Sequence, residues 1–362
     1  MVPAGFSATK HNVYEDGVVI NPMLLYQDEK PVRSTFHLIF DNARFGELLL
    51  PDIKTIYQNL LLGERLIVES IERYGVDAYL GAVRYCTDVS AEAMAQSLAE
   101  LPDGVYEGQS GIDCDAVDDS IEYVLRVKLT KIGPHLEIDF SGTSPQARSS
   151  VNCGVFDTKT SVGVALKFLL DPHTPFTSGS YRNIDLVIPP GTFISATPPD
   201  GAVFLYWESS SNVLLAIFRA LEDALGPRAV AGDYGSLSIH NASGTLPDGT
   251  PWVTTAQCGG EHGPWGATSA GDADSYSVMY QANNLDPATE AIESDVPAVV
   301  LRKEYVPDSA GAGTNRGGAA VLKDTMYLSE ADHWSNPLQT KRSSGIGLSL
   351  IHISEPTRRR GI

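Results

Sequence analysis

Glutamate and histidine stand side by side in the glycine-rich stretch GGEHGPWG, at Glu261 and His262. On a strand, neighbouring side chains face opposite ways, whereas on a loop flanked by glycines both can turn to the same side. Histidine titrates near neutral pH, which suits a general acid, a general base or a metal ligand. No second histidine follows at ligand spacing, so a structural role stays open. We predict Glu261 and His262 as the candidate catalytic residues.

Two other loops carry charges among small residues. Arg182 ends the irregular stretch PHTPFTSGSYR, in which it is the only charge apart from His173. A guanidinium in such a loop can hold an anionic substrate or form a structural ion pair. Asp308 and Arg316 lie in DSAGAGTNRGG, a glycine-rich loop that follows a strand pattern but lacks the phosphate-binding spacing GxxxxGK[ST]. We predict Arg182, Arg316 and Asp308 as candidate substrate-binding residues, and a plain hairpin connection is the alternative for the second loop.

No residues in the sequence are assigned to a metal. Four carboxylates between Asp113 and Asp119 invite a calcium interpretation, but the glycine and the glutamate of an EF-hand loop are missing, which favours a solvated acidic loop. The four cysteines are widely spaced and form no CxxC pair. That spacing is typical of reduced thiols in a cytosolic protein.

The elements that must position these residues change from helical to extended along the chain. Apolar residues recur at three and four positions from Pro51 to Gly75, which predicts an amphipathic helix with a possible break at Gly63. Two further helices are expected before a mainly antiparallel sheet begins at Gly104. The predicted elements are helices at 51–75, 76–85 and 91–101, strands at 105–107, 123–130, 135–140, 184–188 and 298–306, and helices at 158–170, with Thr158 as N-cap, and 212–225.

We therefore predict an α+β fold, in which an N-terminal helical segment precedes a mixed, mainly antiparallel sheet with packed helices. The expected division is an incomplete N-terminal part at 1–103, an α+β core at 104–346 and a non-native tail at 348–362. The tail resembles the translation of a transposon-end sequencing adapter, and the N-terminus leads straight into sequence typical of the middle of a domain. We expect the chain to be a fragment.

The composition of the chain limits the classes of molecule that it can bind. The chain has 362 residues, 43% of them hydrophobic, and a net charge of −19 at pH 7. This charge argues against nucleic acid and anionic membranes. No apolar run reaches the ~18 residues that span a bilayer, and no signal peptide opens the chain, so we expect a cytoplasmic protein.

The order of short motifs resembles the hydantoinase B/oxoprolinase family, which includes acetone carboxylase alpha-type subunits, over about residues 7 to 330. The matching stretches are YEDG at 14–17, ERYG at 72–75, LPDGVY at 101–106, IDFSGTSP at 138–145, SYR at 180–182, PPGT at 189–192, PP at 198–199, GG at 259–260, EAIE at 290–293 and DSAGAGTNRGG at 308–318.

The resemblance implies an enzyme subunit that works with a hydantoinase A-type partner in a hetero-oligomer. The partner would bind ATP and phosphorylate a cyclic amide or a ketone, and this subunit would act on the phosphorylated intermediate, which Arg182 and Arg316 would hold. Family members carry NDPY, GGTH and HHAD stretches that look like the site of a divalent metal. None of these occurs here, so we expect the metal ligands of the full-length protein to lie outside this chain.

Three functions follow from these expectations. The first is a subunit of an ATP-dependent cyclic-amide hydrolase of the hydantoinase B or 5-oxoprolinase type. The second is a subunit of a ketone carboxylase, for which the bulky loop Gly263–Gly266 is suggestive. The third is an inactive scaffold fragment. The sequence does not distinguish oxoproline, a hydantoin and a ketone as substrate, nor does it give the metal or the stoichiometry.

Overall fold

The computed structural model describes residues 9–16, 18–43, 46–237, 239–255, 262–335 and 338. Its secondary structure comprises six α-helices, three short 3-10 helices and thirteen strands within these residues. The helices are α1 (Arg33–Phe40), α2 (Gly46–Tyr74), α3 (Val76–Ala99), α4 (Val155–Leu169), α5 (Tyr206–Leu225) and α6 (Thr289–Asp295). The strands are β1 (Tyr26–Gln27), β2 (Lys30–Pro31), β3 (Gly104–Ile112), β4 (Tyr123–Ile132), β5 (His135–Asp139), β6 (Ile184–Val187), β7 (His240–Thr245), β8 (Pro251–Thr255), β9 (His262–Gly263), β10 (Ser277–Val278), β11 (Ala298–Tyr305), β12 (Val321–Tyr327) and β13 (Ala331–Ser335).

The N-terminal part is helical, as predicted, but its helices are longer than the sequence pattern indicated. α2 begins at Gly46 and continues through Pro51 and Gly63 without a break. Pro51 lies in the second turn, where the missing N–H costs a single helical bond. The predicted stop at Gly75 is confirmed, since this residue has a φ of +86° that only glycine adopts readily.

α3 is one helix, and the predicted division near residue 90 is wrong. Ser90 does not interrupt the helix because its hydroxyl donates to the carbonyl oxygen of Cys86 one turn earlier, at 3.0 Å. The same hydroxyl lies 2.9 Å from the carbonyl oxygen of Pro175. The last turns of α3 therefore pack on the body of the protein, where Met94 and Leu98 are buried.

A four-stranded sheet in the order β3-β4-β5-β6 forms the centre of the molecule. β3, β4 and β5 are antiparallel, and β6 pairs parallel with β5. The predicted hairpin between β4 and β5 is confirmed, with its turn at Gly133 and Pro134. Alternate residues of β4, among them Leu125, Val127 and Leu129, are buried. This alternation is the pattern that the sequence showed.

α4 and α5 both begin earlier than predicted, and the first turns of α5 are polar and yet buried. α4 starts after Gly154, whose N–H donates to Oδ2 of Asp157 at 2.8 Å, so Gly154 rather than Thr158 occupies the N-cap. The Thr158 hydroxyl instead donates to the carbonyl oxygen of Ile194. α5 packs against β3 and β4, and its start includes the buried residues Glu208 to Ser211.

The remaining strands form smaller sheets. β13, β7 and β8 make a three-stranded antiparallel sheet, β11 pairs with β12, and β9 pairs with β10. The largest hydrophobic core lies between the central sheet, α4 and α5, and two smaller clusters lie under the C-terminal strands. The predicted α+β class is confirmed. None of the helices in the described residues is both long and apolar enough to cross a membrane.

Candidate functional site

A cleft of about 520 Å³ opens where the first turn of α5 meets α4 and the segment before α6. Its walls combine aromatic and aliphatic side chains with uncharged polar groups. The lining residues are Asp157, Thr160, Ser161, Val164, Phe204, Tyr206, Trp207, Ser210, Leu237, Ile239, Met279, Gln281, Ala282, Asn283 and Asn284. Among these described residues the only charged side chain is Asp157, which is occupied in capping α4. Such a lining suits a neutral ligand that carries both an apolar surface and hydrogen-bonding groups.

Gln281 connects the walls of the cleft through hydrogen bonds of its side-chain amide. Its Nε2 donates to the hydroxyl of Ser210 at 2.9 Å and to the hydroxyl of Ser211 at 2.6 Å. The same atom lies 3.1 Å from the carbonyl oxygen of Trp207, and Oε1 accepts from the Ser161 hydroxyl at 3.1 Å. A single amide therefore joins α4, α5 and the segment before α6. Because each of its two polar ends is bonded, its orientation is fixed.

Glu208 lies behind this wall and is completely buried. Its Oε1 accepts from Nε1 of Trp207 at 3.0 Å and from the N–H of Leu237 at 3.1 Å. Its Oε2 is buried without a hydrogen-bond partner in the described residues. Burial raises the pKa of Glu208 to about 8, against the opposing effect of its hydrogen bonds. At pH 7 the carboxyl is therefore neutral, and it holds two residues of the cleft wall, Trp207 and Leu237.

Asp233 is a second buried carboxyl in this region. Its oxygens accept from the N–H of Gly235 at 2.9 Å and from the N–H of Tyr280 at 2.8 Å. Burial raises its pKa, although both bonds favour the charged form. The hydroxyl of Tyr280 donates to the carbonyl oxygen of Ala231 at 2.8 Å. Asp233 thus fixes the chain on which Gln281 lies, one residue beyond Tyr280.

His262 does not line the cleft, but it hydrogen-bonds with the backbone of Asn284, which does. It lies in β9 opposite Val278, its ring stacks on Tyr276 at 5.0 Å, and it is half-buried. Burial lowers its pKa, and the nearby lysines, Lys303 and Lys323, act in the same direction against a hydrogen bond with the backbone of Asn284. A lowered pKa favours the neutral imidazole, which can accept a proton. Glu261, its predicted companion, lies outside the described residues.

Arg182 does not line the cleft. It follows a 3-10 turn at Ser178–Tyr181 that packs on α3, and its guanidinium donates to Asp88 at 2.8 Å. Both side chains of this pair are about half exposed, at 53% and 54%. The structure thus forms the ion pair that the sequence left as an alternative. The anion-binding role of Arg182 stays a prediction.

Asp308 and Arg316 lie in the loop that joins β11 to β12. Both side chains are exposed, and Asp308 has a φ of +54°. The loop packs on another turn through its backbone, because the N–H of Arg316 donates to Asp272 at 2.7 Å and its carbonyl oxygen accepts from Ala273 at 2.9 Å. Neither residue lines the cleft. Their substrate-binding role also stays a prediction.

The acidic loop after β3 is organised by its own backbone. Oδ1 of Asp115 accepts from the N–H groups of Val117 and Asp118 at 3.0 and 2.8 Å, and Oδ1 of Asp118 accepts from Ser120 at 2.9 Å. Within the ranges that the structure describes, no group of three or more histidine, cysteine, aspartate or glutamate side chains is placed to hold a metal ion.

Sequence reasoning missed the residues that build the cleft. The sequence pattern places Glu208 and Ser210 just before a helix at 212–225 and gives Gln281 no functional role. The available signal was the run ESSS at the start of a mainly apolar helix. These four polar residues are all buried, so they must find partners, and such groups collect where elements meet.

The chain is similar to known proteins both in sequence and in fold. The B-type subunit of a putative D-/L-hydantoinase from Pseudomonas sp. (strain NS671) is 26% identical over 330 residues, which is 88% of this chain and 55% of that protein. The fold is similar to ATP-dependent caprolactamase from Pseudomonas jessenii, with a TM-score of 0.85, 20% identity, and coverage of 93% of this chain and 59% of that one. It is also similar to nucleotide-free acetone carboxylase, with a TM-score of 0.81, 17% identity, and coverage of 91% and 46%. The chain spans about half the length of the curated relatives it matches. The family model for hydantoinase B/oxoprolinase matches residues 1–345, and the chain belongs to this family.

Proposed function

We propose that this chain is part of the B-type subunit of an ATP-dependent cyclic-amide hydrolase, which acts on an intermediate phosphorylated by a hydantoinase A-type partner. The observation that carries the proposal is the family match over residues 1–345. It is supported by the likeness to the B-type subunit of a hydantoinase in sequence and to caprolactamase in fold. Both names describe enzymes that open a cyclic amide. We place the complex in the cytoplasm, where the unpaired thiols of Cys86, Cys114 and Cys153 would stay reduced.

The cleft beside Trp207 is the proposed binding site for the ring. An indole provides a flat apolar face, and the amide side chains of Gln281, Asn283 and Asn284 can donate to a carbonyl oxygen and accept from a ring N–H. A cyclic amide presents both groups on a small apolar skeleton. The lining, in which Asp157 carries the only charge, favours the ring itself, and we propose that the phosphoryl group is held outside the cleft by Arg182 and Arg316.

His262 is the proposed general base. An amide oxygen is a poor leaving group until it is phosphorylated. After the partner transfers the phosphoryl group from ATP to this oxygen, water adds to the ring carbon and gives a proton to the neutral imidazole. Both protons of this water end on the ring nitrogen, one of them through His262, and the carbon–nitrogen bond breaks to give an amine and an acyl phosphate. A second water then hydrolyses the acyl phosphate to a carboxylate and free phosphate. We propose Glu261 as the residue that orients His262, and Asp308 as a contact to the polar substituent of the substrate.

A coupled assay tests the function. The full-length gene product and its partner subunit are mixed with ATP and with 5-oxoproline, a hydantoin or caprolactam, and phosphate and the ring-opened product are measured. We expect ATP hydrolysis that depends on a cyclic amide and not on bicarbonate. His262→Gln should lower kcat by about 100-fold or more, whereas the same change at the exposed His173 should leave kcat unaltered. Equal activity of the two variants would remove His262 from the mechanism.

Ketone carboxylation is the second candidate, since the fold is also similar to that of acetone carboxylase. The same assay with acetone or acetophenone decides between the two. Strict dependence on bicarbonate with a ketone, and no turnover of cyclic amides, would establish the carboxylase. A complex that assembles but turns over none of these compounds would favour the scaffold role.

A further inference from the structure

Two lysines face each other across the ribbon that β11 and β12 form. Lys303 and Lys323 are direct partners in its antiparallel register, so both side chains leave the same face of the ribbon, with Cβ atoms about 5 Å apart. Like charges directly opposite each other destabilise a pair of strands. Asp286 contacts Nζ of Lys303, and its carboxylate offsets part of this repulsion. The pairing thus favours a negative charge next to the ribbon.

Lys303 lies next to His262, the proposed general base. Its Nζ is 4.8 Å from the centre of the Tyr276 ring, and the His262 ring stacks on the same tyrosine at 5.0 Å. His262 in turn bonds with the backbone of Asn284, which lines the cleft. One imidazole therefore connects the lysine pair with the cleft.

A pair of histidines brings two further bases to the same face of β12. Nδ1 of His240 in β7 lies 3.0 Å from Nε2 of His333 in β13. Because one of these two nitrogens must be unprotonated to accept the hydrogen bond, the pair carries at most one positive charge. The His333 ring lies 6.0 Å from the Tyr327 ring, and Tyr327 shares a face of β12 with Lys323, four residues earlier. The histidine pair and Lys323 therefore lie on the same side of the ribbon.

These five bases form one group, which we call the basic cluster: Lys303, Lys323, His240, His333 and His262. Burial is the largest cause that lowers the pKa of three of its members, and the charge of Lys323 lowers the pKa of each of them further. These members are His240, His262 and Lys303. The positive field of Lys323 thus extends over most of the cluster. A negative charge placed there would have the opposite effect, because it favours the protonated forms.

A small oxyanion fits the chemistry of the basic cluster. Ammonium and imidazolium groups donate charge-assisted hydrogen bonds, and the oxygens of a phosphate or a carboxylate accept several of them. The Lys303 side chain is 31% exposed, so its charge is screened less than that of a lysine at an open surface. The net charge of the chain, −19, repels large polyanions. A small anion that contacts only the cluster is therefore favoured.

We propose that the basic cluster binds a small oxyanion, a phosphate or a carboxylate, between Lys303 and Lys323 and beside His262. The reaction proposed above releases both groups, so the source of the anion rests on that function, whereas the binding does not. Arg182 and Arg316 are the proposed contacts of the phosphoryl group while it is attached to the intermediate, and the basic cluster takes the anion that hydrolysis releases. The bound anion raises the pKa of His262, because it offsets the positive charges of the two lysines.

Titration of the purified chain with sodium phosphate and with sodium acetate at constant ionic strength tests the proposal. Calorimetry gives the Kd of each anion, and NMR of the chain with isotope-labelled histidine gives the pKa of His262, whose signal is assigned with His262→Gln. We expect at least one of the anions to bind and to raise this pKa. The double change Lys303→Gln and Lys323→Gln should raise the Kd by about 10-fold or more. It should also raise the pKa of His262 in the absence of the anion, since two positive charges are removed.

The matched control is the double change Lys128→Gln and Lys159→Gln, which alters the net charge by the same amount at two exposed positions. It should leave the Kd and the pKa of His262 as they are in the wild-type chain. Circular dichroism should show the same secondary structure for all variants.

The two anions distinguish the sources. Binding of phosphate alone would identify the ligand as the released phosphate, binding of acetate alone would identify it as the carboxylate product, and binding of both would show that the cluster accepts either. A chain that binds neither anion at millimolar concentration would overturn the proposal. So would equal Kd values for the two double variants, or a bound anion to which the pKa of His262 does not respond. A complex that turns over no cyclic amide, with a chain that still binds the anion through the two lysines, would refute the proposed function and leave this site in place.

Discussion

Glu208 shows at the scale of one residue how burial controls the chemistry around the cleft. Its carboxyl accepts from Trp207 and Leu237 through one oxygen while the other oxygen is buried without a partner in the described residues. A neutral carboxyl tolerates such a site better than a carboxylate does, which is why its pKa rises to about 8. Glu208 is therefore a positioning residue for the wall of the cleft.

Stability should fall as the pH rises from about 4.5 to about 8. Below pH 4.5, the ordinary pKa of the group, Glu208 is protonated in the folded and the unfolded chain. Between the two values only the unfolded chain loses the proton, and above pH 8 the loss of folding free energy is complete. With about 1.4 kcal/mol for each pKa unit, the loss amounts to a few kcal/mol. Glu208→Gln, which stays neutral, should flatten this part of the profile, as measured by urea unfolding at several pH values.

The matched control for this measurement is Glu137→Gln, on an exposed position of β5. Its profile should follow that of the wild-type chain. A Glu208→Gln variant whose stability falls with pH as steeply as that of the wild type would show that Glu208 is ionised in the folded protein.

Arg182 and Asp88 allow a second test at the residue scale. Their ion pair is about half exposed on both sides, and pairs of this kind contribute about 0 to 1 kcal/mol. Arg182→Ala and Asp88→Ala should each lower the free energy of unfolding by less than about 1 kcal/mol. If Arg182 holds the phosphorylated intermediate, only Arg182→Ala should raise KM in the assembled enzyme. Equal KM values for the two variants would leave Arg182 with a structural role.

At the scale of elements, the contact between β3 and α5 positions the cleft. α5 carries Trp207, Glu208 and Ser210 in its first turns, and it crosses β3 at Gly108. A Cβ at Gly108 would lie 2.1 Å from the carbonyl oxygen of Ala216 and 2.8 Å from the backbone nitrogen of Ala220. Because Gly108 has no side chain, α5 lies directly on β3. The sheet therefore fixes the position of the cleft residues that α5 carries.

Gly108→Ala should therefore destabilise the protein by about 3 kcal/mol or more, because backbone atoms must move to admit the methyl group. Thermal and urea unfolding measure this change. Gly104→Ala, at the start of the same strand, is the control. A Cβ there meets only the Tyr106 side chain at 3.6 Å, an ordinary contact, and the change should be nearly neutral. Similar losses at the two positions would indicate that the strand conformation, rather than the helix contact, requires glycine.

The boundaries of the elements also show which features of the fold the sequence pattern could predict. The C-terminal end of α2 and the turn of the β4–β5 hairpin could be predicted, since Gly75 and Gly133 terminate their elements through their own backbone preferences. The start of α5 could not, because Glu208 to Ser211 favour a cap or a turn when they stand alone. Burial against the sheet and the bonds from Gln281 make them helical. Tertiary contacts outweigh the local preference there.

At the scale of the whole molecule, the buried hydrophobic residues are divided unequally among three clusters. The main cluster joins the central sheet, α4 and α5. The cluster under β11 and β8 has five buried residues, among them Trp252, Ile292 and Val296. Regions with little buried apolar surface open at lower free energy than the core does.

Hydrogen exchange should therefore distinguish the two regions. Amides of β4 should exchange only through global unfolding, whereas amides of β11 and β12 should exchange through local opening at a lower free energy. Exchange measured by mass spectrometry at increasing urea concentrations checks this, since local opening depends only weakly on urea. Identical protection of β4 and β12 would show that the chain unfolds as one cooperative unit.

The sequence by itself determined the family, the α+β class, the alternation of β4 and the glycine that separates α2 from α3. These features depend on residue order and on preferences of neighbouring residues. Tertiary structure alone decided the parallel pairing of β5 with β6, the raised pKa of Glu208 and the bond of Gln281 to Ser211, 70 residues away. A pKa and a hydrogen-bond partner depend on what surrounds a side chain in space. That environment is built by segments far apart in the chain, so it exists only once the chain has folded.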